Sequence, residues 1–214
     1  MVAVIVGSGI AAETLSTDPG IRLLANSLAT ALGLYAIIVV LQPVSGAHVN
    51  PVISAASAGL RLTTWRRALV FLPAQVAGAI SGAMLANAMF GLDAVQLGTT
   101  PRLTWAHALA EVVATAGLVV VVFTLTRTGR PHLIAPAVAA YIGAAYWFTS
   151  STSFANPAVT IGRMFTDTFT GISPAAGLGF VAAQLVGGAC GLGLVVLLTP
   201  ERTESHRGQQ LNQP

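Results

Sequence analysis

The chain has 214 residues, of which 54% are hydrophobic and only 8% are charged. A soluble domain carries roughly 25% charged residues, so the 10 basic and 7 acidic side chains are too few to cover a surface in contact with water. All the basic residues are arginines scattered between apolar runs, and they form no basic face for nucleic acid. Together with a mean hydropathy of +0.76, this composition excludes a soluble domain and predicts an integral membrane protein.

Apolar runs follow one another along the chain, and a helix that crosses a membrane needs about 20 mainly apolar residues. Residues 1–15 are too few to cross, and we interpret them as the second half of a first span whose beginning is missing. Five later runs are long enough or nearly so: residues 21–41, 65–90, 105–126, 133–150 and 174–198. The sequence therefore predicts an all-α membrane protein with six spans, of which the first is truncated at its N-terminus.

The arginines are unevenly distributed between the two ends of these spans. Three of them, Arg22, Arg102 and Arg163, lie on one side. The others lie on the opposite side, in loops or in the tail, at Arg61, Arg66, Arg67, Arg127, Arg130, Arg202 and Arg207. Because cytoplasmic loops are enriched in arginine, the pattern predicts a multi-pass protein of the plasma (inner) membrane with both termini in the cytoplasm. The polar residues 199–214 are predicted to form a disordered cytoplasmic tail.

Two segments between the spans, residues 45–60 and 151–165, are too apolar for ordinary loops. The first contains Ser-Gly-Ala-His-Val-Asn-Pro-Val, and the second contains Ser-Thr-Ser-Phe-Ala-Asn-Pro-Ala. Asparagine is a favoured N-cap, and proline fits the first position of a helix. The two segments are therefore predicted to form short helices that begin at Asn50 and Asn156.

The two Asn-Pro segments belong to an internal repeat. Each is followed by a span with a similar pattern, Ala-Gln-Val-Ala-Gly-Ala from Ala74 and Ala-Gln-Leu-Val-Gly-Gly from Ala183. An odd number of spans in each half makes the halves inverted across the membrane, as in many transport proteins. We therefore predict one channel domain over residues 1–198, with repeat one at about 1–90 and repeat two at about 105–198.

Backbone that enters and leaves a membrane on the same side is tolerated only where it lines a polar cavity. Two helix N-termini that meet there project positive partial charge into the cavity. The amides of Asn50 and Asn156 add donors, and the loop carbonyls add acceptors. Such a pore conducts neutral hydroxylic solutes passively and opposes cations and protons.

At these residues the sequence resembles the major intrinsic protein family, the aquaporins and aquaglyceroporins. The resemblance rests on residues 45–52, on Asn-Pro-Ala at 156–158, and on Glu111 with Thr115 in the fourth span. It implies an aquaporin-like fold with two re-entrant half-helices, and a homotetramer in the lipid bilayer with one pore in each subunit. The pore motifs of the family fall on Asn50, Pro51, Val52, Asn156, Pro157 and Ala158.

Two positions depart from the family pattern. Val52 stands where the family usually has alanine, and the truncated first span lacks the glutamate that would match Glu111. The resemblance implies a structural role for Glu111, which would accept hydrogen bonds from the loop before the second half-helix. The alternative for a carboxylate inside a membrane is a proton or ion coupling site.

The narrow water channels of the family carry a Phe, a His and an Arg among four residues at their outer constriction. Counting from the two asparagines places the four positions at Thr30, Ala144, Ser153 and Val159. All are small or medium in size, which predicts a wide constriction without a fixed charge. Arg163 follows Val159 by one helical turn and is predicted to overhang the external mouth. The alternative is that it pairs with Asp167.

A valine at the arginine position resembles the bacterial subgroup linked to arsenic resistance. The resemblance implies that the solutes are glycerol-sized polyols and trihydroxy metalloids such as arsenous acid, together with water. A strict water channel and a secondary active transporter are the alternatives. No nucleophile–base pair or metal-ligand spacing occurs in the sequence, so we expect neither an enzyme nor a bound cofactor.

Overall fold

The computed structural model describes residues 1–199, and within this range every regular element is a helix. The predicted all-α fold is therefore confirmed, whereas the predicted disordered tail lies, except for Thr199, outside the described residues. In chain order the helices are α1 (Val2–Leu15), α2 (Pro19–Ser45), α3 (Pro51–Gly59), α4 (Trp65–Met89), α5 (Trp105–Arg127), α6 (Ile134–Phe148), α7 (Pro157–Arg163) and α8 (Pro174–Leu198), with a 3-10 turn at Pro131–Leu133 before α6.

The helices fall into three groups by length. Within residues 1–199, only α2, α4, α5 and α8 are 18 residues or longer and apolar enough to cross a membrane. α6 has 15 residues and α1 has 14. At about 1.5 Å per residue, α1 is about 21 Å long, which is shorter than a hydrocarbon core of roughly 30 Å. The shortest helices, α3 with 9 residues and α7 with 7, are the ones predicted to follow the Asn-Pro pairs.

Capping residues explain where most helices begin and end. The Asp18 carboxylate accepts a hydrogen bond from the Ile21 amide at the start of α2, and Thr64 and Thr104 cap α4 and α5 with their hydroxyl groups. Proline occupies the first turn of α2, α3, α7 and α8. α2 ends at Ser45 and is followed by Gly46, whose φ of 82° is the left-handed conformation that glycine adopts most easily.

The helices of the two halves pack in matching pairs. α1 packs against α2 and α4, and α5 packs in the same way against α6 and α8. Each half-helix contacts a long helix of both halves, because α3 touches α4 and α8 while α7 touches α8 and α4. α2 and α6 join the halves directly. This pairing is what an inverted repeat of α1–α4 and α5–α8 would produce.

Glycine allows a close contact between α5 and α8. A Cβ added to Gly187 would lie 2.5 Å from the carbonyl oxygen of Val112, and one added to Gly191 would lie 2.6 Å from that of Ala116. Small residues at this spacing let helix backbones approach each other in membrane proteins.

Large apolar side chains cover much of the outside of the bundle, as at Leu28, Leu32 and Val40 on α2 and at Leu185 and Leu197 on α8. Such a surface matches lipid better than water.

We call the end of the bundle at which α8 terminates the C-terminal side, and we call the opposite end the far side.

Candidate functional site: the pore

The two half-helices begin at the asparagines predicted from the sequence. The Oδ1 atom of Asn50 accepts a hydrogen bond from the amide of Val52 at 2.9 Å. The Oδ1 atom of Asn156 accepts from the amides of Ala158 and Val159 at 3.0 and 3.3 Å. Both asparagines are buried. Their side-chain oxygens thus cap the half-helices, and both side-chain NH₂ groups are left to donate hydrogen bonds to other residues.

Each asparagine amide donates to the loop that precedes the other asparagine. Asn50 Nδ2 donates to the carbonyl oxygen of Ala155 at 2.8 Å, and Asn156 Nδ2 donates to that of Val49 at 2.9 Å. A side-chain amide carries two hydrogens, so each asparagine keeps one donor beyond this crossed pair. The pair joins the two half-helices at the centre of the bundle.

Both loops that precede the asparagines turn through left-handed backbone. Ala47 and Ser153, each three residues before an asparagine, have φ values of 53° and 51°, and Ala155 has a φ of 47°. Residues with a Cβ seldom adopt this conformation, and where they do they cluster at functional sites. The shared turn is a further structural likeness between the two repeats.

A cavity of about 80 Å³ leads from the C-terminal side to the crossed asparagines. Its walls are mainly apolar, with Asn50 and Asn156 at the inner end. The wall residues on the helices are Leu34, Ile38 and Gln42 of α2, Ile53 of α3, Leu118 and Val122 of α5, and Ile134, Val138 and Ile142 of α6.

Glu111 is fully buried in α5 and holds the loop before α7. Its carboxylate accepts hydrogen bonds from the amides of Phe154 and Ala155, both at 2.9 Å. It also accepts from the Ser151 hydroxyl and from Gln184 Nε2, both at 2.6 Å. These four donors occupy both carboxylate oxygens. These contacts join the Glu111 carboxylate of α5 to the loop before α7 and to α8.

The corresponding part of repeat one is built differently. Gln75, the counterpart of Gln184, donates to the carbonyl oxygen of His48 and to the Ser54 hydroxyl. Among the described residues, Gln75 Oε1 and His48 Nδ1 have no hydrogen-bond partner. Both residues line a second cavity of about 410 Å³, which lies beside the start of α1.

The structure contradicts the predicted position of Ala144 at the constriction. Ala144 is exposed and lies on the same outward face of α6 as Ala140 and Phe148. Counting back from Asn156 misplaced this position, because the count fixes a distance along the chain and not a helix face. The two residues that follow it, Ala145 and Tyr146, are both buried, and the hydroxyl of Tyr146 lies 3.1 Å from the hydroxyl of Thr30.

Thr30 is buried on the same face of α2 as Leu34 and Ile38. Ser153 is also buried, and its hydroxyl has no partner among the described residues. Val159 is buried in an apolar cluster with Val2 and Ile5 of α1, and it lines the second cavity. Of the predicted filter positions, Thr30 therefore contacts Tyr146, whereas Val159 faces the second cavity.

Arg163 is enclosed, with 2% of its surface exposed, instead of overhanging the mouth. Its Nε atom donates to the carbonyl oxygen of Thr170 at 2.5 Å, and its guanidinium carbon lies 3.4 Å from the centroid of the Phe154 ring. The alternative partner, Asp167, instead accepts hydrogen bonds from the amide and the hydroxyl of Thr99.

Sequence reasoning missed Arg102 as a second cation near this ring. Its guanidinium carbon lies 6.0 Å from the Phe154 centroid, and it donates to the carbonyl oxygens of Gly171 and Phe169 at 2.8 and 2.6 Å. Arg102 thus binds the carbonyls on either side of Thr170, the residue that holds Arg163. In the sequence it appears only as an isolated arginine in a loop, with no pattern that points to this contact.

Comparison with known proteins agrees with this geometry. The family model described as "Major intrinsic protein" matches residues 1–153. The chain is 45% identical over 203 residues to aquaglyceroporin AqpS of Rhizobium meliloti (strain 1021), covering 94% of the chain and 87% of the relative. It is 32% identical over 168 residues to a probable aquaporin TIP-type of Medicago sativa, covering 73% of the chain and 66% of that relative. The chain therefore belongs to the major intrinsic protein family and is an aquaporin-type membrane channel, not an enzyme.

Proposed function

We propose that the chain is a passive channel of the plasma membrane for water, glycerol-sized polyols and trihydroxy metalloids such as arsenous acid. The observation that carries this proposal is the cavity with apolar walls that ends at the crossed amides of Asn50 and Asn156. Apolar walls offer nothing to replace the hydration of an ion, while the remaining amide hydrogens can orient a hydroxyl group.

The nature of the relative supports polyols as solutes. The protein with 45% identity bears the name aquaglyceroporin. Undissociated arsenous acid presents three hydroxyl groups in a volume close to that of glycerol, so a pore that admits one is expected to admit the other. We also propose a homotetramer, with the C-terminal side and both chain termini in the cytoplasm, in keeping with the arginine distribution.

A strict water channel is the second candidate, and one observation favours it. Tyr146 and Thr30 are both buried and hydrogen-bonded to each other, which narrows the far side of the pore. A secondary active transporter is disfavoured because Glu111, the buried acid, has both oxygens occupied by four donors and offers no free site for a coupling ion.

The test uses proteoliposomes that contain the purified full chain at known density. We expect glycerol and arsenous acid, at neutral pH, to enter down their own gradients faster than into empty liposomes. Entry should continue after ionophores collapse the proton and sodium gradients. Water flux without glycerol flux would favour the strict water channel, and loss of flux with the ion gradients would favour a transporter.

The Val159→Arg variant tests the predicted filter in the same assay. An arginine there would add volume and donors to the constriction, so glycerol and arsenous acid flux should fall far more than water flux. If the new side chain instead enters the second cavity, which Val159 lines, all three fluxes would stay at the parent level. That result would remove Val159 from the filter.

A further inference from the structure

The cleft between α2 and α4 is filled by α1 over only part of its length. There α1 lies tight against both walls, because a Cβ added to Gly33 of α2 would lie 2.8 Å from Val4, and one added to Gly82 of α4 would lie 3.1 Å from the amide nitrogen of Ala3. One turn further toward the C-terminal side, a Cβ added to Gly78 would meet no atom within 4 Å. The second cavity, of about 410 Å³, occupies this part of the cleft and continues the line of α1.

The cavity has apolar sides and a polar end. One face of α2 and one face of α4 form its sides, with Ile37, Leu41 and Ser45 on α2 and Phe71, Ala74, Gln75, Gly78 and Ala79 on α4. Ser45 and His48 form the end on the C-terminal side, and Gln75 donates to the His48 carbonyl. From Ile37 to Ser45 the helix rises about 12 Å. This length is close to the roughly 15 Å that one leaflet contributes to a hydrocarbon core of roughly 30 Å.

The cavity opens toward the lipid-facing surface of the bundle. Ala74 and Gly78 line it and are exposed, and the neighbouring side chains of Val40, Val44 and Val70 are exposed as well. In a bilayer, the molecules next to such an opening are lipids, whose acyl chains fill the hydrocarbon core. Wall atoms without a partner lose dispersion contacts, and an acyl chain that enters the cavity restores them.

Arg67 adds a positive charge at the polar end of the cavity. Its guanidinium carbon lies 5.4 Å from the centroid of the Phe71 ring, and the His48 ring lies 5.4 Å from the same centroid. Arg67 is exposed, whereas Phe71 and His48 line the cavity. Within residues 1–199, the acidic side chains lie elsewhere, with Glu111 inside the bundle and the rest in segments on the far side, at Glu13, Asp18, Asp93 and Asp167. The charge of Arg67 is therefore available to an anion at the membrane surface.

We propose that the second cavity is a lipid-binding site, in which an acyl chain of an anionic phospholipid fills the cleft and its phosphate binds Arg67. The lipid comes from the leaflet on the C-terminal side, where the polar end of the cavity lies. This site is additional to the conduction path and does not depend on which solute the channel carries.

The bound chain also supports the pore from behind. Val49 lines both cavities, and its carbonyl oxygen accepts the hydrogen bond from Asn156. Val159, in the half-helix that begins after Asn156, lines the second cavity. An acyl chain in the cleft therefore packs against both sides of the crossed asparagine pair. We expect the bound lipid to stabilise the folded chain.

Native mass spectrometry of the purified full chain in detergent tests the site with two lipids that share their acyl chains, dioleoyl phosphatidylglycerol and dioleoyl phosphatidylcholine. We expect one phosphatidylglycerol for each chain, with an apparent Kd about fivefold lower than that of phosphatidylcholine, because one arginine at a membrane surface contributes about 1 kcal/mol. Phosphatidylglycerol should also raise the midpoint of thermal unfolding more than phosphatidylcholine. Glycerol 3-phosphate, which has the phosphate without the acyl chains, should not compete.

Two pairs of variants separate the acyl chain from the phosphate. Gly78→Leu and Ala74→Leu fill the cleft and should weaken binding of both lipids at least about tenfold. Gly193→Leu is the matched control, because Gly193 is exposed on α8 and its added Cβ also meets no atom within 4 Å. Arg67→Gln should abolish the preference for phosphatidylglycerol and leave the affinity for phosphatidylcholine unchanged. Arg130→Gln, at an exposed arginine on the same side of the bundle, should keep the preference.

Four results would overturn the proposal. Lipid binding at the level of the parent in both leucine variants would show that the cleft does not hold the chain. Equal affinities of the parent for the two lipids would remove the phosphate from Arg67. Competition by glycerol 3-phosphate would assign Arg67 to a free phosphate. Dissociation of assembled chains by Gly78→Leu, with lipid binding unchanged, would assign the cleft to a second copy of the chain.

Discussion

The guanidinium carbon of Arg163 lies 3.4 Å from the centroid of the Phe154 ring, in a site closed to solvent. The ring faces attract cations, and the Thr170 carbonyl fixes the orientation of the side chain through Nε. Arg102 brings a second positive charge to within 6.0 Å of the same ring. Two cations are therefore held beside Phe154, which lines the cavity, although the predicted filter position itself carries a valine.

Replacing Arg163 with glutamine should increase the leak of cations through the pore. Arg163→Gln removes one of the two charges that repel cations, while the neutral side chain has no such effect on glycerol. We expect sodium or proton conductance, measured in planar bilayers, to rise severalfold with glycerol flux changed by less than about threefold. The control is Arg22→Gln, which removes an arginine that binds the Ser16 carbonyl on the same side. Equal conductance in the parent and Arg163→Gln would contradict the prediction.

Asn50→Asp and Asn156→Asp should each strongly reduce glycerol flux. A carboxylate has no hydrogen to donate to the carbonyl of Ala155 or Val49, and it would face that oxygen with a negative charge at a helix N-terminus. Stopped-flow reswelling of proteoliposomes in glycerol measures the loss. Asn26→Asp is the control, because Asn26 is also buried but donates to the Ile5 carbonyl outside the pore. Normal flux in both pore variants would exclude the two asparagines from the conduction path.

Glu111→Gln should destabilise the protein without creating or removing a dependence on proton gradients. A glutamine amide would place hydrogens against groups that already donate, such as the amides of Phe154 and Ala155. We expect a loss of at least about 2 kcal/mol of stability, because hydrogen bonds to a charged group are strong. Thermal unfolding in detergent measures this loss. Glu13→Gln, at an exposed glutamate that accepts from Phe169, should change little. A flux that responds to a proton gradient only in the parent would instead support ion coupling at Glu111.

Two glycine variants should change stability in opposite directions. A Cβ at Gly78 meets no atom within 4 Å and points into open space beside the second cavity, so Gly78→Ala should stabilise α4 by about 1 kcal/mol. Gly187→Ala should destabilise the bundle, because its Cβ would lie 2.5 Å from the Val112 carbonyl oxygen. The midpoints of thermal unfolding in one detergent provide the comparison. A lower midpoint for Gly78→Ala would contradict the packing described for α4.

The sequence predicted the half-helices well because their signals are local. An asparagine N-cap followed by proline marks the start of a helix within a stretch of about four residues. The starts at Asn50 and Asn156 could therefore be predicted without knowledge of the rest of the fold. Tyr146 could not be found in this way. α6 is apolar on nearly all sides, so no hydrophobic stripe distinguishes its inward face from the face that carries Ala144.

The position of Arg163 depends on contacts between segments, which a single sequence does not display. Its spacing from Asp167 suggested a local ion pair. The structure instead combines the ring of Phe154 with the carbonyl of Thr170, and Arg102 supports that loop from another segment. A buried guanidinium loses its hydration and therefore needs several compensating contacts. These contacts with other segments, and not the spacing from Asp167, determine where Arg163 lies.

The crossed amides of Asn50 and Asn156 also join two segments of the pore that are synthesised at different times. Asn50 binds a carbonyl that lies 105 residues further along the chain, and Asn156 binds one that lies 107 residues earlier. A ribosome therefore delivers the first half-helix to the membrane long before its partner exists. Until translation has passed residue 155, the amide of Asn50 must be satisfied by water or by the insertion machinery.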